Sequence, residues 1–288
     1  MSQNSAIEWT ESTWNPVRGC TKVSPGCANC YAETFAERWR GVPGHAYEQG
    51  FDLRLVPEKL EEPLRRKKPT TYFVNSMSDL FQEGVPDDYI DRVFAVMALA
   101  PQHTFQVLTK RAERMRAYCA TGSRAQWIQQ AMDRIPGHRH LLTWPLPNVW
   151  LGVSVENQHF ADERIPLLLQ TPAAIRFISA EPLLEDIHLL RYLRAPGPPN
   201  PPASKRNYLD WIIVGGESGP GARPFDLAWA RVIIKQCRLA SVPVFIKQLG
   251  ANPLRLDGDH VPFHSRKGAD PAEWPEDLRV REMPTVSR

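Results

Sequence analysis

The sequence predicts an α/β fold, a parallel (β/α) barrel or partial TIM barrel with a short C-terminal extension. Six runs rich in β-branched and aromatic residues recur along the 288-residue chain, and most are continuously apolar. Strands buried on both faces of a parallel sheet have this composition. Intervals of about 25 to 45 residues separate the runs, which is the size of βα units. The runs are residues 70–75, 103–109, 148–154, 174–179, 209–215 and 242–247.

Further elements follow in chain order. Residues 7–17 form the expected first strand region, and residues 28–40 have the pattern of a helix in which three aromatic residues recur every fourth position. Residues 86–100 begin with a proline and two acidic residues and end before Pro101, which is typical helix punctuation. Residues 225–240 repeat this apolar periodicity. The proline-rich stretch 195–206 is expected to be an irregular insertion.

The domain organisation follows from these elements. Residues 1–253 are expected to form the barrel, which carries a cysteine loop at 20–30. Residues 254–288 are expected to form the extension, in which Trp274 and Leu278 of a brief helix pack against the barrel.

Bulk composition selects no function by itself. Hydrophobic content of 42%, charged content of 23% and a net charge of +3 are ordinary for a soluble globular protein. The start of the sequence lacks the pattern of a secretory signal, and no apolar run is long enough to span a membrane. We therefore expect a cytosolic protein without a membrane partner.

Each of the six strand runs is followed by polar or charged residues. In a parallel barrel the carboxyl ends of the strands surround one mouth, where active sites form. Six such ends in succession favour a shared site. The residues expected there are Ser76, Ser78, Asp79, Lys110, Glu156, Asn157, Glu181, Gly215, Gly216, Glu217 and Lys247.

Three of the five cysteines, Cys20, Cys27 and Cys30, lie within eleven residues in the pattern C-x6-C-x2-C. In a reducing compartment such a cluster is typical of a metal or catalytic site. Cys30 stands at the expected start of a helix, where the backbone dipole favours a thiolate. Cys119 and Cys237 lie in helical patterns and are interpreted as small buried hydrophobic residues.

Two ligand sets are consistent with this spacing. Three cysteines can hold a [4Fe–4S] cluster with one iron position open, and S-adenosylmethionine (SAM) can bind there through its amino and carboxylate groups. Alternatively, His45 completes a closed Cys3His zinc site, which would make the protein a zinc-stabilised, non-catalytic binding or accessory protein. Trp9 and Trp14 would either shield a cluster from water or pack in the core.

The sequence resembles the phage Gp37/Gp68 family, also called the three-Cys-motif family. The resemblance extends over nearly the whole chain and is carried, in order, by IEWTESTWNPVRGCTKVSPGCANCYAE, YFVNSMSDLF, VLTKR, GVSVEN, FISAEPLL, GGESGPGARP and KGADPAEWPEDLRVREMP. It implies a radical-SAM-like barrel with an unassigned substrate. Some relatives are encoded beside a three-Cys-motif partner protein, which implies a two-protein system.

The resemblance assigns the cluster to Cys20, Cys27 and Cys30. The first gap of six residues departs from the usual C-x3-C-x2-C motif, and Asn29 replaces the usual aromatic residue before the last cysteine. By position, we expect Ser76, Ser78, Asp79, Glu156, Asn157, Gly215 and Gly216 to bind the cofactor, and Glu181, Glu217 and Lys247 to be catalytic. The expected activity is formation of a 5′-deoxyadenosyl radical on an unidentified substrate, such as a nucleotide or nucleic-acid base, with an external electron donor.

Overall fold

The computed structural model describes residues 5, 7–137, 141–194, 207–255 and 257–285. The proline-rich stretch 195–206 therefore lies outside the described residues. The strands are β1 (Ser12–Trp14), β2 (Val17–Arg18), β3 (Arg54–Leu55), β4 (Thr71–Val74), β5 (Thr104–Thr109), β6 (Val149–Ser154), β7 (Ile175–Ala180), β8 (Trp211–Gly215), β9 (Phe225–Asp226), β10 (Val244–Gln248) and β11 (Pro253–Leu254). The α-helices are α1 (Tyr31–Glu37), α2 (Asp87–Leu99), α3 (Ala112–Ala120), α4 (Arg124–Asp133), α5 (Gln158–Leu169) and α6 (Leu227–Ala240).

A parallel sheet organises the fold, as the sequence predicts. Its seven strands have the order β1-β4-β5-β6-β7-β8-β10. The pairs β1–β4, β4–β5, β7–β8 and β8–β10 are parallel. Every residue of β6, β7 and β8 is buried, which explains their continuous apolar character. Parallel strands that follow one another in chain order are the arrangement of a (β/α) barrel or of part of one.

The chain divides into two compact units. The first comprises Met1–Val23, Ala32–Gly152 and Gln170–Ala174, and the second comprises Ser24–Tyr31, Val153–Leu169 and Ile175–Arg288. Both units contain long parallel strands of the sheet, so each buries a strand-based core.

Aromatic residues fill the core of the first unit. Trp14 is fully buried, its indole N–H donates to the Lys59 carbonyl at 2.7 Å, and its ring lies 5.7 Å from that of Phe105. The rings of Trp9 and Phe73 lie 4.7 Å apart. Both tryptophans are therefore core residues of this unit.

A buried ion pair joins two helices of the first unit. Arg124 at the start of α4 donates to the carboxylate of Asp91 in α2 at 2.7 Å, and its second terminal nitrogen donates to Asp87 at 3.0 Å. The Tyr118 hydroxyl also donates to Asp91 at 2.7 Å, and the guanidinium lies 3.6 Å from the centre of the Tyr118 ring. Burial is the largest influence that raises the pKa of Tyr118, and the neighbouring Asp91 carboxylate raises it further.

Helix α1 differs from the sequence expectation. It ends at Glu37, and its alanines Ala32 and Ala36 are the buried residues. The aromatic stripe lies on the exposed face, with Tyr31, Phe35 and Trp39 exposed by 55%, 43% and 37%. The spacing correctly predicts a helix. The alanines form its buried face, however, and the aromatic side chains are exposed to solvent.

The C-terminal segment packs in the second unit. Two single turns of 3-10 helix, Pro271–Glu273 and Glu276–Leu278, replace the expected brief helix. Trp274 and Leu278 are buried as expected, and the Val280 carbonyl accepts a hydrogen bond from Ile246 of β10 at 2.8 Å. No helix in the described part of the chain has the length and apolar content needed to cross a membrane.

The buried pair generates a stability prediction. Arg124→Met removes the cation and leaves the Asp91 carboxylate buried, so we expect a loss of about 3–5 kcal/mol in the free energy of unfolding. Urea denaturation followed by circular dichroism measures it. Arg134→Met, at the exposed end of the same helix, is the matched control and should change stability by less than about 0.5 kcal/mol. Equal effects of the two substitutions would contradict the assignment.

Candidate functional site

The start of the cysteine segment, defined as Cys20–Cys30, is fixed by backbone contacts in the first unit. The Gly19 N–H donates to the Met77 carbonyl at 3.1 Å, and the Cys20 N–H donates to Phe51 at 3.2 Å. Gly19 has φ of 79°, and a Cβ there would lie 2.1 Å from the Asp52 carbonyl oxygen. Only glycine fits this position, so the chain enters the segment along one defined path.

Asp79 is buried in the loop between β4 and α2, and its carboxylate accepts several hydrogen bonds. The Thr109 hydroxyl donates to its two oxygens at 2.7 and 2.9 Å. The backbone N–H groups of Phe81 and Lys110 donate at 2.9 and 3.0 Å, and Arg111 donates at 3.0 Å. Donors from the protein itself therefore satisfy both carboxylate oxygens of Asp79.

Arg111 connects Asp79 to the cysteine segment. The guanidinium nitrogen that binds Asp79 also lies 3.4 Å from the Sγ atom of Cys20, and the other terminal nitrogen donates to the Thr21 carbonyl and hydroxyl at 3.0 and 2.8 Å. Burial alone would lower the pKa of Arg111, but Asp79 and Cys20 outweigh it and raise the pKa. Arg111 therefore presents a permanent positive charge to the first cysteine.

The two serines predicted at this strand end bind the segment that precedes the cysteines. The Ser78 hydroxyl donates to the Val17 carbonyl at 2.7 Å, and the Ser76 hydroxyl donates to the Asn15 side chain at 3.2 Å. These contacts hold the chain between β1 and β2, at Asn15 and at Val17.

In the second unit, Glu156 follows β6 and is completely buried. One carboxylate oxygen accepts the Gly26 N–H of the cysteine segment at 3.2 Å, and the other accepts Arg164 of α5 at 3.0 Å. The neighbouring Asn157 has a different role, because its side chain accepts the Phe160 N–H at 3.0 Å and thereby caps α5.

Glu217 follows β8 and holds a second part of the cysteine segment. Its carboxylate accepts the Asn29 side-chain amide at 2.9 Å, the Arg223 N–H at 2.9 Å and the Arg223 guanidinium at 3.0 and 2.7 Å. Burial would raise the pKa of Glu217, but the hydrogen bonds from Arg223 and Asn29 lower it below the ordinary value of 4.5.

Glu181 and Lys247 form an ion pair in the second unit. Glu181 follows β7 directly, and one of its carboxylate oxygens lies 3.0 Å from Nζ of Lys247. The Ser179 hydroxyl donates to the other oxygen at 3.0 Å. The pairing of β10 with β8 shifts register between Ile246 and Gln248, so Lys247 occupies a β-bulge. Bulges commonly redirect a side chain beside an active site.

The two glycines at the carboxyl end of β8, Gly215 in the strand and Gly216 after it, serve close packing. A Cβ at Gly215 would lie 2.5 Å from a Glu181 carboxylate oxygen, and one at Gly216 would lie 2.5 Å from the Leu249 carbonyl oxygen. Glu181 and Leu249 therefore already occupy the space that these glycines leave.

The cysteines fall into two classes. Cys20, Cys27 and Cys30 are half-buried thiols, and the Ser24 hydroxyl lies 3.8 Å from the Cys27 sulfur. Cys119 and Cys237 are buried, as predicted, and burial raises the pKa of Cys237 to about 12. Within the described residues, no three His, Cys, Asp or Glu side chains are arranged as a metal-binding group. A metal assignment therefore depends on the chemistry and spacing of the thiols.

His45 belongs to an aromatic cluster of the first unit. Its ring stacks on Trp39 with centroids 4.1 Å apart, and its Nδ1 accepts the Tyr47 N–H at 3.2 Å. These contacts account for one face and one nitrogen of the ring, and they do not favour its use as a fourth zinc ligand.

The sequence analysis does not predict the arginines of these pairs. Arg111 and Arg223 lie within quoted motifs, VLTKR and GGESGPGARP, so their motif membership was an available signal. Arg164 lies inside α5 and carries no local signal. Asn29 occupies a position where an aromatic residue is usual, and its amide is the group that reaches Glu217.

The lowered pKa of Glu217 predicts an acid dependence of stability. A depressed carboxyl pKa contributes stability that is present above 4.5 and is lost as the pH falls through the lower pKa of the folded state. The difference in unfolding free energy between the wild type and Glu217→Gln should therefore be largest near neutral pH and shrink in acid. Urea denaturation across this pH range measures it, and a difference that does not change with pH would contradict the ionised assignment.

Comparison with known proteins identifies a family. Neither a search of curated proteins nor a search of solved structures found a match. A family model described as "Protein of unknown function (DUF5131)" matches residues 4–269. The match includes the cysteine segment and every strand end described above, and the chain therefore belongs to this DUF5131 family.

Proposed function

We propose that the protein is a radical-SAM-like iron–sulfur enzyme of the phage Gp37/Gp68 type that acts on an unidentified substrate. The observation that supports this most is where the cysteine segment is attached. In the first unit its partner Arg111 follows β5, and in the second unit its partners Glu156 and Glu217 follow β6 and β8, each after the carboxyl end of its strand. Active sites of parallel α/β folds form at this edge.

The donor set fits an iron–sulfur cluster by its chemistry. Cys20, Cys27 and Cys30 would hold it, because thiolates are soft ligands and three of them leave one iron available to an exogenous chelate. A bound cluster would supply the single electron that cleaves SAM to a 5′-deoxyadenosyl radical. An external donor would supply that electron, and a three-Cys-motif partner protein would assist.

Arg111 has a defined part in this proposal. It donates a hydrogen bond to the Cys20 sulfur and carries a positive charge that Asp79 holds in place. A cation at this distance stabilises negative charge on the thiolate and keeps Cys20 in its ligating form.

Glu181 and Lys247 are the proposed substrate-binding pair. Their side chains are 14% and 20% exposed, more than those of Asp79 and Glu156, which are 8% and 0% exposed. The pair offers one acceptor and one cationic donor, which suits the edge of a nucleobase or the polar groups of a nucleotide. Ser179 orients the carboxylate.

The cysteine assignment generates the first test of this function. Cys20→Ala, Cys27→Ala and Cys30→Ala should each abolish iron binding after anaerobic reconstitution, since each removes one of the thiolates. Cys119→Ala and Cys237→Ala are matched controls and should retain iron. His45→Ala should also retain it, and iron and sulfide analysis with visible spectra measures all six. Full iron content in Cys27→Ala would refute the assignment, and loss of all metal in His45→Ala would favour the closed zinc site.

The open iron position generates the second test. Saturating SAM should perturb the EPR spectrum of the reduced, reconstituted protein, because its amine and carboxylate would bind the open iron position. With a strong reductant, slow release of 5′-deoxyadenosine should follow without substrate. An EPR spectrum unaffected by SAM, together with no detectable 5′-deoxyadenosine, would refute the radical mechanism and leave the iron assignment intact.

A further inference from the structure

We propose that the buried carboxylates Asp79, Glu156 and Glu217 are positioning residues that hold the cysteine segment, each with an arginine partner. The role in metal binding rests on the proposed function, whereas the positioning itself rests on the contacts. It differs from the sequence expectation, in which Asp79 and Glu156 touch the cofactor and Glu217 is catalytic.

The segment depends on these side chains because it has little regular structure of its own. Its described element is a single 3-10 turn, Pro25–Cys27, whose cap bond runs from the Ala28 N–H to the Pro25 carbonyl. Cys30 precedes α1, which begins at the next residue. Contacts with other parts of the chain must therefore define where the thiols lie.

In the second unit the contacts are direct. Glu156 accepts the Gly26 N–H at 3.2 Å, one residue before Cys27. Glu217 accepts the Asn29 amide at 2.9 Å, one residue before Cys30. Each carboxylate thus holds the residue that immediately precedes a cysteine.

In the first unit the contact passes through the arginine. Asp79 binds Arg111, and Arg111 donates to the Cys20 sulfur and to both oxygens of Thr21. A buried carboxylate paired with an arginine therefore supports the segment at its beginning, middle and end.

The arginines explain how the carboxylates can lie buried. A buried charge is costly unless it is paired and its remaining lone pairs are satisfied. Arg111, Arg164 and Arg223 lie 3.0, 3.0 and 2.7 Å from their carboxylates. In each pair, a carboxylate oxygen or an arginine N–H group also forms a hydrogen bond with the cysteine segment. Folding of the strand ends therefore also fixes the position of the segment.

The test uses the full-length protein without metal and measures the alkylation rate of each cysteine by mass spectrometry. Glu156→Gln and Glu217→Gln should raise the rates of Cys27 and Cys30 about tenfold, the change expected when one hydrogen bond to a charged group is lost. Asp79→Asn should raise the rate of Cys20 similarly. Rates within about twofold of wild type in these variants would overturn the proposal.

Two variants separate positioning from general destabilisation. Asn29→Ala removes a donor from an exposed residue without changing any charge, and it should raise the Cys30 rate while the buried Cys237 stays slow. Asp91→Asn removes a carboxylate of a buried arginine pair that does not contact the segment, and it should leave the Cys20, Cys27 and Cys30 rates unchanged. If a glutamate variant also exposes Cys237, the Asn29→Ala rate decides, and an unchanged Cys30 rate there would overturn the proposal.

Iron binding supplies a separate readout. Under anaerobic reconstitution the wild type should bind iron, and Glu156→Gln and Glu217→Gln should bind it about tenfold more weakly. A wild type that binds no iron would refute the proposed function, while the alkylation rates would still decide whether these carboxylates position the cysteines.

Discussion

A carboxylate that is buried in a protein must keep a cation and several hydrogen-bond donors around it, and this requirement shapes the candidate site. Asp79, Glu156 and Glu217 follow strands of the sheet, and each has an arginine within 3.0 Å. Glu156 and Glu217 also accept hydrogen bonds from the cysteine segment, and Arg111, the partner of Asp79, donates a hydrogen bond to it. Because breaking a buried pair costs several kcal/mol, the same interactions that stabilise the strand ends also restrict the thiols.

This arrangement separates the polar residues at the strand ends into two groups. The first group, Asp79, Glu156 and Glu217, forms hydrogen bonds within the protein and supports the cysteine segment. The other, Glu181 and Lys247, is partly exposed, and Lys247 lies at the register shift in β10. The reacting groups of a functional site keep a more precise geometry when surrounding residues hold them in place. The division therefore matches a site in which binding groups and supporting groups have distinct roles.

Much of the fold could be predicted because its signals are local. Continuous apolar runs predict strands buried on both faces, and all six runs are strands in the structure. The polar strand ends include Glu156 and Glu217, which contact the cysteine segment. The partners could not be predicted, because Gly26 and Glu156 are 130 positions apart and Asn29 and Glu217 are 188 apart, and no local pattern encodes such contacts. For α1 the periodicity predicts a helix but not its buried face, which alanines occupy.

Hydrogen exchange of backbone amides in the metal-free protein tests the central claim most directly. The N–H groups of Gly26, Lys110 and Arg223 lie outside the α-helices and strands, and each donates to a buried carboxylate. We predict that all three exchange far more slowly than an unstructured chain, because the carboxylates must release them first. Exchange of these amides at the rate of an unstructured chain would contradict the claim that buried carboxylates hold the cysteine segment in place.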